Sequence, residues 1–255
     1  VGRLAVGANF NPEIGFVSRN DFRRSSGSIR FSPRPQGRAA VRKFSLEGNV
    51  DYITDGLGQL ETRVQQGMFG IEFESGDYFF AVIANNYEFL KKPFTITSDM
   101  SIPVGGYSFV NSRLVYFLGQ QRGASGGLSF EQGGFFGGEK RSIGYFFGRM
   151  SLTPKLSIEP NLSFNWVTLP HGSFTTELVA ARATYTVTPR MFVAALLQFN
   201  SGSNALGTNI RFRWEYQPGS ELFIVYTDER DTFTPRFPVL ENRAIILKIN
   251  RLFRF

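Results

Sequence analysis

The chain has 255 residues, no cysteine, a single histidine and a formal net charge of +7. Without cysteine there is no disulfide, no thiol chemistry and no cysteine metal site. The basic residues are spread among acids rather than clustered, which argues against a nucleic-acid surface.

Hydrophobic residues make up 42% and aromatic residues 15%, with 28 Phe. No run reaches the roughly 18 apolar residues that a spanning helix needs. The longest, at 191–199, is about half of that. Short segments rich in Phe and Gly suit a membrane wall in which only half of each strand faces lipid. Lack of cysteine also fits passage through an oxidising compartment. Residue 1 is Val, already inside a strand-like pattern. Upstream sequence is therefore expected: cleaved away, disordered or a separate domain.

Strand-like segments follow near 2–10, 23–33, 40–54, 59–74 and 77–89. The third alternates most clearly. Phe44, Leu46, Val50 and Tyr52 share one parity; Lys43, Glu47, Asn49 and Asp51 share the other. Successive strand side chains point to opposite faces, so one face is oily and the other charged. Asp55-Gly56-Leu57-Gly58 supplies the glycines of a hairpin turn. The next strand sets Phe69, Ile71 and Phe73 against Gln66, Met68 and Glu72. Alternation blurs at Phe79-Phe80.

Further segments lie near 106–119, which carries Arg113, then 123–135, which carries Glu131, and then 139–152. Residues 156–168 oppose Leu162, Phe164 and Trp166 to Glu159, Asn161 and Asn165. Segments near 174–187, with Arg182, and 191–201 precede 206–217. That segment opposes Phe212, Trp214 and Tyr216 to Arg211, Arg213 and Glu215. The last two are 221–230 and 242–255. In the final one Ile245, Leu247, Ile249, Phe253 and Phe255 stand against Lys248, Asn250 and Arg254, with Arg251 putting a charge on the apolar parity. The period throughout is two, not 3.6.

Links alternate between a short set (33–38, 75–76, 120–123, 153–155, 188–190, 218–220) and a set containing the longer ones (11–22, 90–106, 228–241). This reads as an all-β fold: one antiparallel up-and-down transmembrane β-barrel of about 14 strands over residues 1–255, with short periplasmic turns and longer outer loops. A soluble β-sandwich is the competing reading. It would pack the apolar parity inward, but its strands usually run about 5–6 residues, shorter than these.

Charges buried in lipid are costly, so the polar parity is expected to face water or itself. Lys43, Glu47, Asp51, Glu72, Arg113, Glu131, Glu159, Arg182, Arg211, Arg213, Glu215 and Lys248 form a hydrated pore lining or an ion-pair network. Phe44, Leu46, Tyr52, Phe69, Phe73, Leu162, Phe164, Trp166, Phe212, Trp214, Tyr216, Ile249 and Phe253 face lipid. His171 sits in a turn with no second His or Cys to complete a site, so neither a catalytic residue nor a metal or cofactor is expected. The glycine strings 123–127 and 133–138 lack the Lys-Ser/Thr of a phosphate loop and read as turns or tight packing, with Phe135-Phe136 as a loop tip. Residues 90–106 and 231–240 read as outer loops by default, with inward folding as the alternative.

The terminal strand resembles the closing strand of outer-membrane barrels, which carries the signal read by the barrel-insertion machinery. The resemblance implies that Ile249, Phe253 and Phe255 form that signal. The strings 11–16 (NPEIGF), 21–24 (DFRR), 60–63 (LETR), 213–226 (RWEYQPGSELFIVY) and the Leu-Phe-Arg-Phe ending resemble one family in particular. It is an uncharacterised bacterial family in which a carbohydrate-binding, endoxylanase-type (family 9-like) module precedes an outer-membrane barrel. That module is missing from this chain, so no glycan-binding residue carries over. The expected function is non-enzymatic: passive passage of small hydrophilic solutes, with saccharides one candidate. The alternative is a closed barrel anchoring a periplasmic module or envelope protein. Expected partners are outer-membrane lipid, the insertion machinery and that upstream module, and not nucleic acid.

Overall fold

The structure is a computed structural model, and it describes residues 1–10, 19–37, 40–97, 100–234 and 238–253. Among these there is no helix, and the chain is built from strands. They are β1 (Gly2–Val6), β2 (Phe22–Phe31), β3 (Val41–Asp55), β4 (Leu60–Phe73), β5 (Tyr78–Leu90), β6 (Phe94–Thr97), β7 (Met100–Ile102) and β8 (Gly105–Leu118). Then come β9 (Ala124–Phe135), β10 (Gly138–Thr153), β11 (Leu156–Leu169), β12 (Gly172–Thr188), β13 (Met191–Asn200), β14 (Ala205–Gln217), β15 (Ser220–Asp231) and β16 (Val239–Ile249). All but β6 and β7 form one 14-stranded sheet in chain order, a simple up-and-down meander. β6 and β7 form a separate hairpin inside the link from β5 to β8.

Most expected strands coincide with observed ones to within a few residues, since alternation over a dozen residues leaves little freedom. The terminal strand is the exception. β16 stops at Ile249, and only Asn250 continues the ladder, exchanging backbone bonds of 3.0 and 3.2 Å with Glu221. The cause lies in the partner: β15 begins at Ser220 and so offers no partner to residues 251–253. Leu252 N–H instead donates to Ser220 Oγ at 3.0 Å. Phe253 lies beyond the strand, with the Arg251 guanidinium 5.1 Å from its ring centre. Arg254 and Phe255 fall outside the described residues, as do the 11–16 string and Pro235–Phe237.

The chain divides into two compact units. Unit 1 comprises Val1–Tyr116, Ser129–Ser142 and Trp166–Phe174; unit 2 comprises Phe117–Leu128, Ile143–Asn165 and Thr175–Phe255. In unit 1 the register rows Phe31–Leu46–Phe69–Ala81 and Ile29–Gly48–Gly67–Ile83 lie on one face. Arg30–Glu47–Met68–Val82 lies on the other. A one-residue slip would exchange the faces, so the hydrophobic pattern sets the register.

Cross-strand rows of unit 2 sort in the same way. Trp214–Leu222–Ile249, Phe212–Ile224–Leu247 and Ile210–Tyr226–Ile245 share a face, while Arg213–Phe223–Lys248 belongs to the opposite one. The apolar faces are uncovered: Leu46 is 50% exposed and Ile245 is 73% exposed. Few aliphatic side chains are buried, and these (Ala84, Ile102, Val115, Val167 and Leu169) all belong to unit 1.

Candidate functional site

The charged parity of unit 1 is laced by cross-strand ion pairs. Arg30 meets Glu47 at 2.6 Å, Arg24 meets Asp51 at 2.7 Å and Lys43 meets Glu72 at 3.1 Å. Arg42 adds a bond of 3.0 Å to Glu72 and one of 3.4 Å to Glu74. Lys43, Glu47, Asp51 and Glu72, expected together on that face, are together, and the side chain of Glu47 is only 14% exposed. Lys140 pairs with Glu131 at 3.2 Å.

At the end of unit 1 that bears the 56–59 and 91–104 links, a denser network forms. Asp55 Oδ1 accepts the N–H groups of Leu57 at 3.1 Å and Gln59 at 2.9 Å, closing the Asp55–Gly58 turn. Lys91 reaches Asp55 at 3.4 Å and also pairs with Glu61. Arg19 donates to Glu88 at 2.9 Å and to Thr62 Oγ1 at 2.8 Å, and the Thr62 hydroxyl donates to Glu88 at 2.9 Å. The backbone donor of Gln59, with Lys91 as second partner, holds the Asp55 carboxyl below its ordinary range. The bond to Glu61 raises Lys91. Two links are thus tied to the strand ends by charge.

The β6–β7 hairpin is the main feature that the sequence did not announce. Residues 90–106 were expected as a solvated outer loop by default. Instead Ile102, only 3% exposed, packs with Ile96 and Met100 against Val167, Leu169, Tyr107, Phe135 and Phe174. Val167 and Leu169 share the parity of Glu159 and Asn165, not that of Trp166. The hairpin therefore lies on the charged-parity side of the wall. Phe136 occupies the two-residue β9–β10 turn at φ 44°, its ring edge-on to Tyr107 at 5.4 Å and tilted against Phe109 at 5.3 Å, so the expected aromatic tip exists and is folded onto this cluster. Gly138 explains part of the glycine string: a Cβ there would stand 2.0 Å from the Thr168 carbonyl oxygen. The signal was present in Val167 and Leu169, two aliphatics on a polar parity.

In unit 2 the charged parity borders a cavity of about 780 Å³. Arg182, Arg211, Gln198, Asn209, Thr227 and Glu229 line it, with Phe192 and Leu196 between them. Arg182 faces Leu196 and Arg211 faces Ala194 across β13. Neither arginine has a hydrogen bond or ion pair among the described residues. Arg213, on the same face, is paired with Glu221, and Glu215 accepts the Gly219 N–H at 3.0 Å. Lys248 joins this face opposite Phe223. Arg113 follows Asn111, which accepts from Asn86 at 2.8 Å on the charged parity of β5, and Glu159 follows the parity of Asn165.

The residues expected to meet lipid share the apolar faces. Phe44 stacks on Phe69 at 6.1 Å beside Leu46, Tyr52 and Phe73 in unit 1. Trp214 meets Tyr216 edge-on at 6.0 Å beside Phe212 in unit 2, on the face of Ile249. Leu162, Phe164 and Trp166 alternate along β11, though Trp166 belongs to unit 1 and the others to unit 2.

His171 is an exposed residue of the β11–β12 turn, and no cluster of metal-ligating side chains occurs among the described residues. One charged group missed by the sequence reading stands on the apolar parity of unit 2. Asp228 gathers Arg230, Arg243 and Tyr226 around it. Its trace in the sequence is the spacing Tyr-x-Asp-x-Arg at 226–230, which puts all three on one side of a strand. Comparison with protein-family models, with curated proteins and with solved structures finds no match for this chain.

Proposed function

We propose that this chain is a bacterial outer-membrane β-barrel that passes small hydrophilic solutes by diffusion. The observation that carries this reading is the inversion of the usual globular arrangement. Leu46, Ile245 and Leu247 are exposed while the side chain of Glu47, on the charged parity, is sheltered. Water would penalise such a surface, and the hydrocarbon of a bilayer would not. The polar, partly unpaired lining of the unit 2 cavity supports a hydrated path. Saccharides presented by an upstream carbohydrate-binding module are one solute class, on the resemblance of the 213–226 string. The reading involves no catalysis. Its biogenesis partners are the insertion machinery and outer-membrane lipid.

Purified protein in a planar bilayer tests this reading. Stepwise conductance is the expected result, and its absence overturns the channel. A second reading, a closed barrel anchoring a periplasmic module, draws on the β6–β7 hairpin lying over the charged parity and on the ion-paired face of unit 1. Under it, recordings stay silent although the protein inserts.

A further inference from the structure

We propose that Arg230 and Arg243, held by Asp228 on the outward face of unit 2, bind the phosphate of an anionic lipid headgroup. This rests on the membrane reading above. On this face the rows run Trp214–Leu222–Ile249, Phe212–Ile224–Leu247, Ile210–Tyr226–Ile245 and then Thr208–Asp228–Arg243. Each row advances two residues, so the charged row lies about 20 Å along the strands from the tryptophan row. An outer-membrane apolar band is about 25 Å tall, with aromatic girdles at its interfaces. Trp214 and Tyr216 therefore mark one interface. With strands tilted about 35–45°, about 20 Å along them is about 15 Å of height, so the Asp228 row stands nearer the other interface, at the end leading into the 232–238 link, and its long arginines reach that interface by snorkelling.

Asp228 is 5% exposed. Its carboxylate accepts from Arg230 Nε at 2.6 Å, Arg243 Nε at 2.9 Å, Arg243 Nη2 at 2.8 Å and the Tyr226 hydroxyl at 3.0 Å. One negative charge is thus surrounded by two positive ones, and a net positive charge faces outward. No bond from the Nη1 group of either arginine occurs among the described residues. The side chains remain 35% and 47% exposed. Two guanidinium forks fixed on adjacent strands match the oxygens of a phosphate better than a mobile lysine would. Glu229, next in the chain, belongs to the opposite parity, opposite Gly207, and leaves this face positive.

Unit 1, taken by itself, also carries arginines on its apolar parity. Arg23 and Arg63 share the apolar parity of Tyr52, near the strand ends that leave the 7–21 and 56–59 links. Arg63 Nε is buried with no partner among the described residues.

The test uses full-length protein inserted in vesicles of a zwitterionic lipid, with insertion scored by protease protection. A lipid with a phosphomonoester headgroup is then titrated, and retention is read by native mass spectrometry. Inorganic phosphate is the second arm. The expected result is saturable retention of the phosphate lipid that falls at least tenfold in the Arg230→Gln/Arg243→Gln double variant and is unchanged in Arg190→Gln, in the β12–β13 turn. Arg230→Lys/Arg243→Lys, which keeps the charge and folds more conservatively, is expected to fall between them. Equal retention by the parent and the double variant in protein that inserts overturns the site alone. Binding of inorganic phosphate as tight as that of the lipid overturns the headgroup as its source. Failure to insert overturns the membrane reading and the site with it.

Discussion

Asp55 joins backbone geometry to charge within one side chain. It terminates β3, caps its own turn through the amides of Leu57 and Gln59, and receives Lys91 from a distant link. Its folded pKa lies below the unfolded value, so its contribution is present above the ordinary carboxylate range near pH ~3.9 and is lost as pH falls through the depressed value. Lys91 is raised, so its contribution is complete below its unfolded pKa near ~10.4 and disappears as pH rises through the folded value. Thermal melts in micelles are expected to show an acid limb in the parent that flattens in Asp55→Asn. An unchanged acid limb in that variant would remove Asp55 as its source. Arg211 offers a functional counterpart. It borders the unit 2 cavity without a partner among the described residues. Arg211→Glu reverses its charge and is expected to shift permeability toward cations by a few-fold, read as the reversal potential across a salt gradient. The parity of Arg211 was plain in the sequence. Its freedom was not, because pairing depends on which side chains the register brings opposite, and Ala194 lies there.

Strands were legible wherever one parity was uniformly apolar. Phe44 and Leu46 sit opposite Ile71 and Phe69, a register that keeps both strands' oily sides together where a one-residue slip would part them. The β6–β7 hairpin was not legible, since its burial depends on Val167 and Leu169, which come some sixty residues later in the chain. The terminal strand was overread for a related reason. Alternation continues to Phe255 in the sequence, but a strand needs a partner, and β15 reaches no further than Ser220 on that side. The hairpin's docking makes a prediction at its own scale. Ile102→Ala removes a buried side chain and is expected to cost about 2–5 kcal/mol of hairpin docking. Limited proteolysis within 91–104 is the readout: cleavage there should quicken while the rest of the sheet stays protected. If the channel reading holds, the same variant should show larger or noisier conductance steps, because the hairpin lies on the charged-parity side. Unaltered proteolysis and conductance would mean that the hairpin is neither marginal nor obstructive.

At the scale of the whole chain, the first and last strands of the sheet decide the architecture. An open edge with unpaired backbone groups invites aggregation, and closure removes it. The meander contains an even number of strands, so β1 and β16 run in opposite directions and closure keeps every neighbour antiparallel. Closure also has a parity requirement. Leu4 pairs with Arg24, on the charged parity, whereas Ala5 pairs with Arg23 on the apolar one. In β16 the charged parity is that of Ala244, Ile246 and Lys248. Opposed residues share a face, so if the proposed barrel closes through these two strands, Leu4→Cys should bridge to a cysteine at 244, 246 or 248 and to none at 245 or 247. The parent chain has no cysteine, so any bridge must come from the introduced pair. Non-reducing gels of vesicle-inserted double variants read the result as a faster-migrating monomer. Bridges at the odd positions would mean that the faces cross at the seam. Dimers alone would mean that the edges meet between chains, and the single-chain pore would fall with them.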